Sequence, residues 1–193
     1  MTKKELIFNA AAKLFAIRSF YAVGIRDIAT EAGVNSAMIS YYYGGKSGLL
    51  QDIFERFVSL LLTDMRLSME EAHNHNELCR YFVRRCIGSA RSNRDVYLVG
   101  LFEINRGHEE LQNLNNELDE KSWEMFQLHI DRLGIKNVRD DETRDINFVA
   151  ILGMIFSDYL LGHGTFIDSD ERVEGYTEKI SGMLQFGLPK HWE

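Results

Sequence analysis

Apolar residues recur at helical spacing along most of this chain. Ile7, Ala11, Leu14 and Phe15 stripe residues 3–18 and predict a first helix there. Ser19 to Gly24 reads as a connection. Ile25, Ile28, Ala29 and Ala32 then predict a short helix over 25–32 that Gly33 can stop. Asn35 or Ser36 can cap a third helix over about 36–43, which Gly44-Gly45 breaks. The pattern Leu50, Ile53, Phe54, Phe57, Val58, Leu61, Met65 follows the i, i+3, i+4 rule and predicts a long helix over 46–71. After a polar link at 73–76, further helices are expected at about 77–91, 95–106 and 109–133, with Gly134 as a stop and a charged loop over 136–142.

The stretch from Thr143 to Leu161 differs in kind. Ile146, Phe148, Val149, Ile151, Leu152, Met154, Ile155, Phe156, Tyr159, Leu160 and Leu161 leave it almost no polar face. It is too short and interrupted to span a bilayer, so it is expected to be buried on two sides, one facing its own domain and the other a partner subunit. A last helix over 170–188 carries Val173, Tyr176, Ile180, Met183 and Gly187 in a narrow seam suited to packing against another helix.

Composition supports this helical reading. Pro189 is the single proline among 193 residues, which argues against a fold of many short strands and turns. No apolar run reaches the roughly 20 residues of a membrane span, and the N-terminal residues lack a signal-peptide pattern. A cytoplasmic protein that does not engage the membrane is therefore expected. Cys79 and Cys86 lie two helical turns apart, about 10 Å along the axis, too far for a disulfide within a helix. They read as core or half-buried thiols.

The net charge of −7 looks wrong for a nucleic-acid binder until it is divided. Residues 1–48 hold six Lys/Arg against three acids, and the remainder holds 16 basic against 26 acidic residues. A small basic head on an acidic body suits a protein that meets phosphates at one end.

The stretch from Ile25 to Tyr43 carries the chemistry. Two short helices can cross steeply only where a small residue lets their backbones approach, and Ala29 fills that place. Four positions later Gly33 supplies tolerance of positive φ. Ile39, six further on, points inward, with Ile28 and Val34 completing a small core. These requirements describe a helix-turn-helix, whose second helix enters the major groove while the first crosses the backbone.

Over residues 7–50 the chain resembles the N-terminal domain of TetR-type transcriptional regulators. The resemblance runs through Ile7, Ala11-Ala12, Leu14-Phe15, Phe20, Ile28-Ala29, Ala32-Gly33-Val34, Tyr42-Tyr43, Lys46 and Leu49-Leu50. Four positions depart from the pattern: Ser19 for a usual glycine, Gly24 for a capping Ser or Thr, Ser40 for a frequent Tyr, and Tyr43 for Phe. The expected fold is all-α, with a three-helix helix-turn-helix DNA-binding domain at 1–48. A larger helical effector-binding and dimerisation domain would follow at 49–193.

On this reading Asn35, Ser36, Ala37, Ser40 and Tyr41 occupy the outer face of the second helix of the motif. Small residues there allow close approach, Asn and Ser can bond base edges, and Ala can meet a thymine methyl. The resemblance places Tyr42 and Lys46 at phosphate-contacting positions, and Arg26, in the first turn of its helix, is placed similarly. A homodimer reading a palindromic operator in double-stranded DNA is expected, with Phe156, Tyr159, Leu160, Tyr176, Ile180, Met183 and Leu184 at its interface. The resemblance also implies a small-molecule effector, for which Phe102, Trp123, Phe126, His129, Phe148 and Asp158 are candidate pocket residues. It further implies a repressor more than an activator, and no cofactor.

Other classes fit less well. A di-iron helical bundle needs two Glu-x-x-His pairs, and only Glu70 to His73 has that spacing. Catalytic motifs such as His-Glu-x-x-His, Cys-x-x-Cys, a phosphate-binding glycine loop or a nucleophile elbow do not occur, so no enzyme is expected. A helical adaptor, or a DNA binder without effector, is the remaining alternative.

Overall fold

The computed structural model describes residues 1–104, 106–132, 134, 150–161 and 167–186, and helices are the regular elements among them. Phe148, the loop expected at 136–142, the first part of the 143–161 stretch and the last residues of the final helix lie outside the described residues.

The described helices are α1 (Lys3–Arg18), α2 (Ile25–Ala32), α3 (Ala37–Tyr43), α4 (Lys46–Glu71), α5 (His75–Ser92), α6 (Arg94–Glu103), α7 (Gln112–Arg132), α8 (Ser157–Leu161) and α9 (Asp170–Phe186). A 3-10 turn, Glu109–Leu111, precedes α7, and residues 150–155 are helical ahead of α8. They divide between two compact units: Met1–Leu60 with Asn93–Asp119, and Leu61–Ser92 with Glu120–Glu193. The head expected at residues 1–48 is contained in the first, which also takes in the start of α4, all of α6 and the start of α7.

Local chemistry sets the helix limits in the first unit. Thr2 Oγ1 accepts the Glu5 N–H at 3.2 Å while the Glu5 carboxylate accepts the Thr2 N–H at 2.7 Å, a reciprocal cap for α1. These bonds hold the Glu5 carboxyl below its ordinary pKa. Before α2, Gly24 offers no side chain, and its N–H instead reaches the Asp27 carboxylate at 2.9 Å. Gly33 at φ 65° and Gly44 at φ 72° stop α2 and α3. The α3–α4 junction is tight: a Cβ on Gly48 would lie 1.9 Å from the Tyr43 carbonyl oxygen. Behind these elements Ile7, Phe15, Ile28, Ile39, Leu49, Leu50, Ile53, Phe54 and Phe57 are fully or almost fully buried. Helix α6 packs on α1 and brings Tyr97 edge-on to Phe57, ring centroids 5.4 Å apart.

In the second unit α9 runs antiparallel along α5. Gln185 donates to the Asn76 carbonyl, Glu174 pairs with Arg80 and Arg84, and Asp170 pairs with Arg91. Arg132, in the last turn of α7, donates to the Met69 and Ala72 carbonyls and so caps the C-terminal end of α4. Met69, Ala72 and Leu78 form a buried cluster there, flanked by Met65, Tyr81, Met125 and Phe126.

Three sequence expectations shift. Helix α5 starts at His75, because Asn74 accepts the Glu77 N–H at 2.9 Å and the Glu77 carboxylate accepts the His73 N–H at 2.9 Å. Helix α6 ends at Glu103 rather than near 106. The chain then turns through Gly107 at φ 69°, and the Glu103 carboxylate faces His108. The described part of the 143–161 stretch is broken at Phe156, where the Tyr176 hydroxyl lies 3.2 Å from both the Met154 and Ile155 carbonyls. Leu161 in that stretch is 81% exposed in the protomer.

Candidate nucleic-acid interface

The α2–turn–α3 unit sorts its side chains by period. Ile28, Ala29, Ala32, Ile39 and Tyr43 are buried, while Asn35, Ser36, Ala37, Ser40 and Tyr41 are all exposed, Tyr41 at 82%. The exposed set is the one expected to face base edges. Asn35 also works locally: its Oδ1 accepts the Ala37 N–H at 2.9 Å, so the residue starts α3. Tyr41 and Tyr42 meet edge-to-face at 5.0 Å, with Tyr42 half-buried. Arg26 is exposed in the first turn of α2.

Tyr43 is a packing residue with a polar anchor. Its hydroxyl donates to the Lys4 carbonyl at 2.7 Å, tying α3 to the start of α1. Burial, with the negative charges of Asp52 and Glu5, raises its pKa to about 12. Two ion pairs tie α1 to α2: Lys13 to Glu31 at 2.5 Å, and Arg18 to Asp27 at 3.6 Å.

Lys46 is placed differently from the outward phosphate contact that the resemblance implies. Its ammonium donates to the Phe20 and Val23 carbonyls, both at 3.0 Å, and lies 4.2 Å from the centre of the Phe20 ring. The irregular α1–α2 connection leaves those carbonyls without helix partners, and the cation satisfies them.

Sequence reasoning missed the group on the other side of the same connection. Glu103, 2% exposed, sits with Oε2 2.8 Å from His108 Nε2 and 3.7 Å from Arg106 Nε, and its Oε1 accepts the Phe20 N–H at 3.4 Å. The His108 ring stacks on Tyr21 at 5.3 Å and meets Phe20 edge-on at 5.2 Å. The one available signal was a carboxylate closing the apolar run Val96–Phe102.

The candidate pocket residues divide. Phe102 belongs to the first unit and is 41% exposed; Trp123, Phe126, His129 and Asp158 belong to the second. Trp123 and Phe126 stack at 5.8 Å. His129 and Asp158 are both buried, and His129 Nδ1 lies 3.3 Å from the Arg132 guanidinium. Burial, with Arg132 and His75 nearby, lowers the His129 pKa. Among the expected interface residues Phe156, Tyr159 and Ile180 are buried within the protomer, so their apolar surface is already covered. Leu160 is exposed, and Tyr176, Met183 and Leu184 are half-buried. Glu70 pairs with Arg66 at 2.7 Å, and burial pushes both cysteine thiols up in pKa. Among the described residues no group of three metal-ligating side chains converges, and no helix is long and apolar enough to cross a membrane.

Residues 7–53 match the family model described as bacterial regulatory proteins, tetR family. The probable HTH-type transcriptional regulator YttP of Bacillus subtilis (strain 168) is 30% identical over 104 residues, a match that covers 44% of this chain and half the length of that protein. Among solved structures, a TetR-family transcriptional regulator from Bordetella parapertussis 12822 superposes with a TM-score of 0.77 at 19% identity, covering 96% of this chain and 95% of its own. PfmR from Thermus thermophilus, also a TetR-family regulator, gives 0.75 at 20% identity, covering 95% and 99%. The regulator FadR from Bacillus subtilis, solved in complex with stearoyl-CoA, gives 0.70 at 18%, covering 96% and 99%. Residues 7–53 thus match the tetR family of bacterial regulatory proteins, and the chain shares its fold with these solved TetR-family regulators.

Proposed function

We propose that this chain is a cytoplasmic, ligand-responsive DNA-binding transcriptional regulator. It binds a palindromic operator as a homodimer, represses from there, and is released by a small molecule. The observation that carries this reading is the outer face of α3 and the turn before it, where five outward positions are exposed above a buried inner face. A seven-residue helix with Asn, Ser, Ala, Ser and Tyr outward along it and its entry fits a major groove and can read it by hydrogen bonds and methyl contact. Arg26 and Tyr42 flank that face and are assigned to phosphates, which fix register without reading sequence. Lys46 supports the interface from behind by holding the connection into α2.

The effector reading rests on the buried polar groups of the second unit. His129 and Asp158 are both buried, and buried polar groups can orient a ligand when a cavity opens beside them. Stearoyl-CoA, bound by one structural neighbour, is the first effector to try. Release is linkage: a ligand that favours the non-binding arrangement weakens DNA binding, and DNA weakens the ligand equally.

The test is selection of purified protein against random duplex DNA at a fixed, stated salt concentration, followed by competition with stearoyl-CoA and a panel of other small molecules. Recovery of a palindrome supports a dimeric regulator. Folded protein that enriches nothing overturns the DNA-binding reading, and a palindrome that no molecule displaces favours a DNA binder without effector.

A further inference from the structure

The six residues between α1 and α2 aim the whole helix-turn-helix, yet no helix of their own holds them. Charged groups from two other elements do. Phe20 is gripped at both ends of its backbone: the Lys46 ammonium takes its carbonyl at 3.0 Å, and the Glu103 carboxylate faces its N–H at 3.4 Å. The second distance is long, so Glu103 also acts through His108, whose Nε2 it meets at 2.8 Å. That imidazole packs against both Phe20 and Tyr21, and so braces the start of the connection. Glu103 and His108 are 2% and 8% exposed. A buried carboxylate costs several kcal/mol to desolvate, and an apolar side chain of similar volume in its place is often neutral or stabilising. Stability alone therefore does not account for a carboxylate here.

We propose that Glu103 is a positioning residue for DNA readout: together with His108 it fixes the α1–α2 connection, and thereby the presentation of α3, from the end of α6. The consequence for DNA rests on the function proposed above; the clamp itself does not. Glu103 is one residue removed from the DNA surface at every step, since it touches Phe20 and His108 rather than the outer face of α3.

The experiment uses the full chain carrying Glu103→Leu or Glu103→Gln. Leu replaces the buried charge by an apolar side chain, while Gln keeps an oxygen for the Phe20 N–H. Amide hydrogen exchange is read without DNA, and affinity is read with the duplex that the wild-type protein selects. Glu103→Leu is expected to speed exchange in residues 19–43 and leave α5 and α9 unchanged. If the released connection leaves the competent orientation about one-tenth populated, affinity falls roughly tenfold. The salt dependence should hold, because no phosphate contact is removed. Glu103→Gln should retain most of the affinity. Unchanged local exchange in a folded Glu103→Leu protein overturns the clamp, whatever the DNA result. Accelerated exchange with undiminished affinity overturns the role in readout. If the wild-type protein selects no duplex, the proposed function fails by itself, and the exchange pattern still decides the clamp.

Discussion

Ser19 sits at φ 64° and ψ 159°, a combination that suits glycine and strains any residue carrying a Cβ. It is held there because its N–H closes α1 on the Phe15 carbonyl at 3.0 Å while Phe20, the next residue, is gripped from both sides. Removing the side chain should relieve about 1–3 kcal/mol of strain and return roughly half to one of these through the greater freedom of glycine in the unfolded chain. Ser19→Gly is accordingly expected to stabilise the protein by about 1 kcal/mol, read as a raised thermal midpoint at fixed protein concentration. A lowered midpoint would mean that the hydroxyl has a use that the geometry does not reveal. Tyr43 yields a pH prediction at the same scale. Its pKa stands at about 12 against an ordinary 10.0, so the folded state favours the neutral phenol. That contribution is complete below pH 10, where the phenol is neutral in both states, and is lost as pH rises toward 12 and the unfolded chain alone sheds its proton. Wild-type stability should fall more steeply across that window than that of Tyr43→Phe, which keeps the ring and lacks the ionising group. Parallel curves would refute the assignment.

At the scale of elements, the close approach of α6 to α4 depends on one missing side chain. A Cβ on Gly100 would lie 2.2 to 2.5 Å from three atoms of the Phe57 ring, and that ring is fully buried between Phe54 and Tyr97. Gly100→Ala should therefore cost about 1–3 kcal/mol by overpacking, despite the better helix propensity of alanine. Phe57→Leu, destabilising by itself, should recover part of that loss in the double variant. Urea denaturation of the four proteins measures the coupling, and strict additivity would show that the two helices part instead of colliding. Such close approaches are invisible in a sequence, whereas helix limits set by neighbours along the chain were readable. The spans of α1, α2 and α4 follow from apolar period and from Gly33 and Gly44-Gly45. The end of α6 did not, because it depends on His108 five residues on, and neither did the inward turn of Lys46, because its partners lie more than twenty residues away. The outer face of α3 was legible for the first reason, since a short helix with Ile39 and Tyr43 inward has its other side left to solvent. Apolar composition alone does not separate a protomer's own core from a surface kept for a partner. Phe156, Tyr159 and Ile180 prove to be core, while Leu160 and Leu161 on the same short helix as Tyr159 stay exposed.

For the molecule as a whole, the proposed homodimer needs something to hold two copies together. On that proposal one head reads few base pairs, two heads on one site supply the affinity, and joining them makes the second binding event effectively intramolecular. The charge works against this, since each chain carries −7 overall and the excess of acids lies beyond residue 48. In the proposed dimer an apolar contact is therefore expected to supply the attraction. Leu161 is 81% exposed and Leu160 beside it 39%, adjacent large apolar side chains of the kind that a partner surface covers. If this face meets its copy across a two-fold axis, Leu161→Glu sets a carboxylate into each half of the contact and adds to the repulsion between the acidic bodies. The dissociation constant of the dimer should rise at least about tenfold, a change of roughly 1.4 kcal/mol. Sedimentation equilibrium over a dilution series measures it, and circular dichroism checks that the helices persist. DNA binding should then weaken with dilution more steeply than for the wild type, because dimerisation has to occur before or during binding. A Leu161→Glu protein that dimerises as well as its parent would place the interface elsewhere. A wild-type protein that stays monomeric, with or without selected DNA, would remove the homodimer from the proposal altogether.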